Sequence, residues 1–215
     1  MMRYYPVNLD IAGRPCAVIG GGAVAERKVA SLVAAGGMVT VISPELTARL
    51  EQMKNEGRIA HIARNYAGGD LAAFAVVICA TADAEVNRQA LAEARAVRAL
   101  VNVVDAPELC DFIVPAQVVR GDLQITVSTG GKSPVLARRL REELENRYGG
   151  EYGAFLDFVA KMRGLLPELL PETRAREHFW RTAIDQEIMQ LLQQGRFDKA
   201  KEKITHAISR IGIES

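Results

Sequence analysis

Between Pro15 and Phe112, short β-branched runs alternate with alanine-rich stretches, and this alternation limits what the 215-residue chain can fold into more than any other feature. The runs are PCAVIG (15–20), MVTVIS (38–43), RIAHIA (58–63), AVVICA (75–80) and ALVNVV (99–104). Between them lie AVAERKVASLVAAG, PELTARLEQMKNEG and DAEVNRQALAEARAV, all rich in good helix formers. Strands that are apolar throughout are covered on both faces, as in a parallel sheet, and parallel strands need crossover connections. The expectation for residues 1–113 is an α/β, doubly wound parallel sheet with right-handed crossovers.

The first run leads into Gly20-Gly21-Gly22-Ala23-Val24-Ala25, a G-x-G-x-x-A turn placed between a strand and a helix. In that context Gly20 permits the tight turn, Gly22 removes a side chain that would block a pyrophosphate, and Ala25 lets the helix approach the sheet. The helix N-terminus then offers amide donors to the phosphates. This makes the first domain Rossmann-type and dinucleotide-binding; the bland alternative is a similar fold whose glycines serve only the turn. An acid is expected at the end of the second strand to meet the ribose. The chain has Ser43-Pro44-Glu45 there, so Glu45 is either that acid, displaced by two residues, or a first-turn residue of the next helix favoured by its dipole. No arginine follows immediately to hold a 2′-phosphate, which favours NAD over NADP.

The alternation ends near residue 112. FIVPAQVV and DLQITVS read as two strands joined by Arg120-Gly121-Asp122, with Pro115 marking an edge or a strand start. SPVLARRLREELENRY follows as a helix with Ser133 as N-cap, Pro134 as first residue and Gly149-Gly150 as stop. The last 65 residues read as all helical, over 151–165, 173–194 and 196–211, with breaks at Pro167, Pro171 and Gly195. Phe155, Leu156, Phe158, Val159, Met162 and Leu165 recur there at core spacing, and His178-Phe179-Trp180 is an aromatic cluster that is either core or a lid. The expected organisation is a first domain at 1–113, a small α+β segment at 114–150 and an all-helical region at 151–215.

Charge excludes some functions. The chain has 27 Lys and Arg against 26 Asp and Glu, a net charge of +1, without the basic excess of a nucleic-acid or membrane-surface binder. That near-neutral total is an average. Residues 114–150 hold six basic and four acidic residues, while 1–113 hold 11 and 12, and 151–215 hold ten of each. The N-terminus carries no secretion signal, and the longest apolar run, Leu71 to Ala82, is too short to span a bilayer. Cys16, Cys79 and Cys110 form no CxxC pair and read as buried free thiols, so a cytoplasmic location without a resident metal is expected.

Two further loops carry chemistry. NVVDAP (102–107) follows the fifth run, at the sheet edge where ligands bind in open α/β folds. There Asp105 is either a general base facing a substrate or a cap for the turn before Pro107. The second loop, STGGKSP (128–134), joins two glycines to a helix N-terminus, with Arg138, Arg139 and Arg141 behind it. It suits an anion, although a solvated helix face has the same composition.

Taken together, YYPVNLDIAGRPCAVIGGGAVAERK, NVVDAP and STGGKSPVLARRLRE resemble the sirohaem synthase dehydrogenase/chelatase module, over residues 3 to about 147. Residues 150–215 resemble it only as a helical tail, and no methyltransferase module follows, so the expectation is the stand-alone form. The resemblance implies NAD-dependent oxidation of precorrin-2 to sirohydrochlorin and, in many members, insertion of ferrous iron. It implies that Gly20, Gly22, Ala23 and Val24 contact the cofactor, that Pro44 and Glu45 lie near its ribose, and that Asp105 is catalytic. It also implies a homodimer with its contacts at 114–150. Ser128, Gly130, Gly131, Lys132 and Arg138 are then candidates for the acetate and propionate arms of the tetrapyrrole. His61, His178 and His206 lie outside the three motifs and lend no support to a chelatase. Two rival functions remain: an NAD-sensing regulatory module, and a chelatase acting mainly on sirohydrochlorin.

Overall fold

A computed structural model describes residues 4–214; the first three residues of the N-terminal stretch read above lie outside it. The chain forms two compact units, Met1–Val114 and Pro115–Ser215.

In the first unit the strands are β1 (Pro15–Ile19), β2 (Met38–Ile42), β3 (Ile59–Ile62), β4 (Val76–Cys79) and β5 (Leu100–Val103), and the helices are α1 (Ala23–Ala34), α2 (Ala48–Asn55) and α3 (Ala84–Ala96). All five strands are parallel, in the order β3-β2-β1-β4-β5. This is the expected doubly wound sheet, with its switch point between β1 and β4. The two faces bury separate clusters. Val18, Val41 and Ile78 pack against Ala25, Val29 and Leu32 of α1 and Leu50 and Met53 of α2, whereas Ala17, Val77 and Val101 pack against Ala90, Leu91 and Ala94 of α3. Side chains alternate between faces along a strand, so two covered faces require unbroken apolar runs.

The long connection from β3 to β4 carries no regular element, and Glu93 of α3 organises it. Its carboxylate accepts from Gly69 N at 3.0 Å, from Leu71 N at 2.6 Å and from the Tyr66 hydroxyl. Burial, followed by Glu93, pushes the Tyr66 hydroxyl well above the usual phenol range, so it stays a donor at any working pH. Glu93→Ala leaves these three donors unmet and is expected to cost about 2–3 kcal/mol, read as a lower denaturation midpoint with faster amide exchange over 66–71.

The second unit begins with the hairpin β6 (Ala116–Arg120) and β7 (Leu123–Val127), which starts directly after Pro115. Helix α4 (Pro134–Arg147) has Pro134 as its first residue, and Ser133 Oγ accepts from Leu136 N at 3.2 Å. Arg120 reaches back to donate to Tyr148 O at 2.9 Å and Glu145 O at 3.1 Å, closing the last turn of α4.

The tail differs from expectation in three ways. Helix α5 (Gly150–Leu169) runs through Pro167. Proline there forgoes one backbone bond near the helix end, where few turns remain to be disrupted. The stretch expected as one helix over 173–194 is two, α6 (Thr173–Ala183) and α7 (Gln186–Gln193), because Asp185 caps α7 by accepting from Ile188 N at 2.9 Å. Lys203 of α8 (Phe197–Glu214) pairs with Asp185 and helps to hold that carboxyl below its ordinary value. Leu156 and Leu165, expected in the core, are exposed, whereas Phe155, Phe158 and Val159 are buried with Ile188, Leu192 and Ile204. Trp180 packs against this cluster and meets Phe179 edge-on at 5.1 Å.

Candidate cofactor and substrate site

The glycine turn lies at the switch point. Gly20 has φ +113, and a Cβ on it would stand 2.5 Å from Ala80 O, the carbonyl that follows β4. Gly21 is equally constrained, since its Cβ would come 1.9 Å from Glu45 O and 2.8 Å from Ser43 Oγ. The loop after β2 is bound to this turn: Thr47 N donates to Gly21 O at 3.1 Å, Thr47 Oγ1 to Glu26 Oε2 at 2.6 Å, and Ser43 Oγ to Glu45 O at 2.8 Å. Gly21, absent from the fingerprint reading, is thus as confined as Gly20, and its only signal in the sequence is a third glycine where the motif needs two.

Gly22 is different. A Cβ there would meet nothing within 4 Å, and the residue is exposed. It is the N-cap of α1 and supplies no side-chain cap, whereas Thr47 caps α2 and Asp83 caps α3. The first-turn amides of α1, including those of Ala23 and Val24, have no intrahelical acceptors. An open, cap-free helix N-terminus behind a bare glycine fits a pyrophosphate. Pro44 and Glu45 are exposed beside this turn. Glu45 precedes the Thr47 cap and so is not a first-turn residue of α2.

Asp105 stands at the same carboxyl edge, in a turn closed by Ala106 N donating to Val103 O at 3.3 Å. Its φ is +62, a conformation that aspartate tolerates better than most residues. The turn is held from below. Cys110 Sγ accepts from Val103 N at 3.2 Å and lies 3.2 Å from Val103 O and 3.3 Å from Ala106 O. Asn102 Nδ2 donates to Phe112 O at 3.0 Å, and Asp111 continues the edge of β5 through Val101. The Asp105 carboxylate makes no side-chain cap, since the short 3-10 turn at Pro107–Leu109 starts from Ala106 without one. Asp105 is exposed.

The three cysteines are free and buried, and burial, with Cys110 adding to it, pushes the Cys79 thiol up to about 12. Among the described residues no group of His, Cys, Asp and Glu is arranged to hold a metal, and no helix is long and apolar enough to cross a membrane.

In the second unit, Ser128, Gly130, Gly131 and Lys132 are exposed in the turn between β7 and α4. Ser128 Oγ accepts from Gly130 N at 3.2 Å, and Thr129 Oγ1 bridges to Ser133 N and O, both at 3.1 Å. Arg138 is paired with Glu142 at 2.9 Å across one turn of α4. Such an exposed pair contributes little, so the guanidinium can change partners cheaply.

Residues 7–116 match the family model described as "Putative NAD(P)-binding". The chain belongs to this NAD(P)-binding family. Residues 120–147 match the central region of sirohaem biosynthesis proteins and 151–208 the sirohaem synthase dimerisation region, so the three parts of the sirohaem synthase module follow in order. The dimerisation description thus falls on the helical region, whereas the resemblance implied dimer contacts at 114–150. The siroheme synthase of Methylobacillus flagellatus is 41% identical over 211 residues, which are 98% of this chain and 45% of that protein. The siroheme synthase of Thioalkalivibrio sulfidiphilus is 39% identical over 208 residues, 96% of this chain and 42% of that protein. The chain therefore spans under half the length of these relatives. The solved structure of SirC, a precorrin-2 dehydrogenase, is 28% identical with a TM-score of 0.74, covering 93% of this chain and all of SirC. The first unit is a nicotinamide-nucleotide domain by family and by geometry.

Proposed function

We propose that this protein oxidises precorrin-2 to sirohydrochlorin with NAD. The observation that carries the reading is the pairing, on one sheet edge, of the cap-free α1 N-terminus behind Gly22 with the unbonded carboxylate of Asp105. Over the same length of chain, SirC is a precorrin-2 dehydrogenase.

Gly20, Gly22, Ala23 and Val24 hold the pyrophosphate through backbone amides, and Glu45, with Pro44 beside it, meets the adenosine ribose. That exposed acid favours NAD over NADP, because a 2′-phosphate would repel it. NAD held there would supply the two-electron acceptor, taking a hydride from the tetrapyrrole. Asp105 accepts the proton released in the same two-electron oxidation and returns it to solvent, so the products are sirohydrochlorin, NADH and one proton. Ser128, Gly130, Gly131, Lys132 and Arg138 bind the carboxylate arms of the substrate. In this reading 1–113 is the cofactor domain and the protein works as a cytoplasmic homodimer. Residues 114–150 and the helical region 151–215, most of which matches the dimerisation-region model, contribute its contacts. Ferrous iron is a second substrate, inserted into sirohydrochlorin.

The test is direct. Incubated with precorrin-2 and NAD, the protein should produce the sirohydrochlorin spectrum together with NADH, and NADP should be the poorer oxidant. Cofactor binding without any oxidation of precorrin-2 would sink the dehydrogenase reading. Sirohydrochlorin supplied with ferrous ion, in the absence of NAD, measures the second activity separately.

A further inference from the structure

His61, on the edge strand β3, is no part of the glycine turn, yet it is tied to the loop that carries Pro44 and Glu45. In register it pairs with Val41 of β2, whose side chain belongs to the cluster under α1 and α2, so the imidazole stands on that same face. The β2–β3 ladder stops at Ser43. Ser43 N still donates to Ile62 O at 3.2 Å, and the next bond of a parallel ladder would run from Arg64 N to Ser43 O. Arg64 N instead donates to Ile62 O at 2.9 Å, and Pro44 has no N–H to continue the strand. Ser43 O is thus left without a ladder donor, although Ser43 is buried.

His61 supplies the missing donor. Its Nε2 lies 2.8 Å from Ser43 O, and a carbonyl only accepts, so Nε2 carries the hydrogen and donates. From Ser43 the restraint passes to Glu45, because Ser43 Oγ donates to Glu45 O at 2.8 Å. Gly21 closes the other approach, having no room for a Cβ against Glu45 O. The backbone of Glu45 is therefore clasped between Ser43, which His61 holds, and the glycine turn, while Glu45 itself is exposed.

We propose that His61 is a positioning residue that sets the preference for NAD over NADP, its imidazole fixing the loop from which Glu45 meets the adenosine ribose. This rests on the reading of Glu45 as the ribose acid. A carboxylate favours a 2′-hydroxyl and repels a 2′-phosphate only while it is held in place. On a loosened loop it must be ordered at each binding event, and it can swing clear of the phosphate that it would otherwise repel. Discrimination is a difference between two affinities, and His61 acts on that difference through two hydrogen bonds, one to Ser43 O and one from Ser43 to Glu45 O.

The experiment is titration calorimetry of the full chain with NAD and with NADP, the weaker ligand being read by displacement of the stronger, in wild type, His61→Phe, His61→Gln and Glu45→Gln. His61→Phe keeps the ring and removes the donor. It should weaken NAD about fivefold, the worth of one hydrogen bond, and leave NADP within about twofold, so that the preference for NAD falls. Saturating NAD should restore turnover of precorrin-2 in His61→Phe, which puts the loss in KM and not in kcat. His61→Gln, whose amide can donate to the same carbonyl, should recover most of the NAD affinity. If His61→Phe is poorly folded, His61→Leu takes its place. Equal losses of NAD and NADP would make His61 a support for the fold alone and overturn the proposal. An unchanged preference in His61→Phe, with Glu45→Gln shifted toward NADP, overturns the role of His61 and leaves the Glu45 reading standing. A wild-type preference in Glu45→Gln removes that reading and the proposal with it.

Discussion

Alanine at Gly21 should unfold the cofactor turn, whereas alanine at the adjacent Gly22 should leave the fold intact and remove only the cofactor. At Gly21 the new Cβ would lie 1.9 Å from Glu45 O, a backbone atom fixed by Ser43 Oγ and by the neighbouring bond from Thr47 N to Gly21 O. Neither side can yield without moving the loop after β2 off the turn. Overpacking of this kind costs about 3 kcal/mol, and for a chain of this length that lowers the thermal midpoint by roughly 10 °C. At Gly22 the new Cβ enters open space, so thermal stability should be conserved to within about 0.5 kcal/mol. In the proposed function that space is where the pyrophosphate approaches the α1 amides. Displacing reactants by about 1 Å can lose a hundredfold, and a loss of that order in kcat/KM is expected for Gly22→Ala. Calorimetry with NAD, alongside thermal denaturation, separates the two variants. A Gly22→Ala protein that bound NAD normally would mean that the glycines serve only the turn.

Asp105→Asn should remove catalysis while preserving structure. Asparagine accepts φ near +62 as readily as aspartate, and the Asp105 side chain makes no cap to lose. The backbone of the turn is held by Cys110 and by the strand-like pairing of Asp111 with Val101, none of which involves the carboxylate. Loss of a general base typically lowers kcat by about 10²–10⁴-fold, and a fall in that range, with unchanged NAD affinity, is the expected result. Asp105→Ala adds about 1 kcal/mol of destabilisation on top, because alanine lacks the tolerance for this conformation. Substrate oxidation at the wild-type rate in Asp105→Asn would move the proton acceptor elsewhere.

The sheet was legible because its physics is local. Buried on both faces, Val18, Val41, Ile78 and Val101 must sit in apolar runs, and a run can be read without knowing what covers it. Gly20 was legible for the same reason, since a strand that turns directly into a helix needs a residue free to take positive φ. Legibility failed where a partner distant in sequence decides the outcome. The break between α6 and α7 depends on Asp185, which has both the Ile188 amide to cap and Lys203 to pair with. Pro167 looked like a helix breaker, yet α5 carries it near its end. Leu156 and Leu165 have core spacing but face away from the cluster that Phe155 and Phe158 enter.

The candidate site divides in the same way. The spacing of the glycines, the Asp105 loop and the 128–134 loop could be named from the sequence, because each lies at a strand end or a helix start, and such positions follow from the order of elements. The sequence by itself therefore determined a doubly wound nucleotide domain, its family and the candidate positions along the chain for its chemistry. Only the tertiary structure separated Gly21, confined against Glu45 O, from Gly22, open to a ligand. It likewise left the Asp105 side chain without a cap to make. The close approach of Gly21 to Glu45 joins residues 24 positions apart, and a contact made by packing a helix or a loop against a strand end leaves no periodicity in the chain to read.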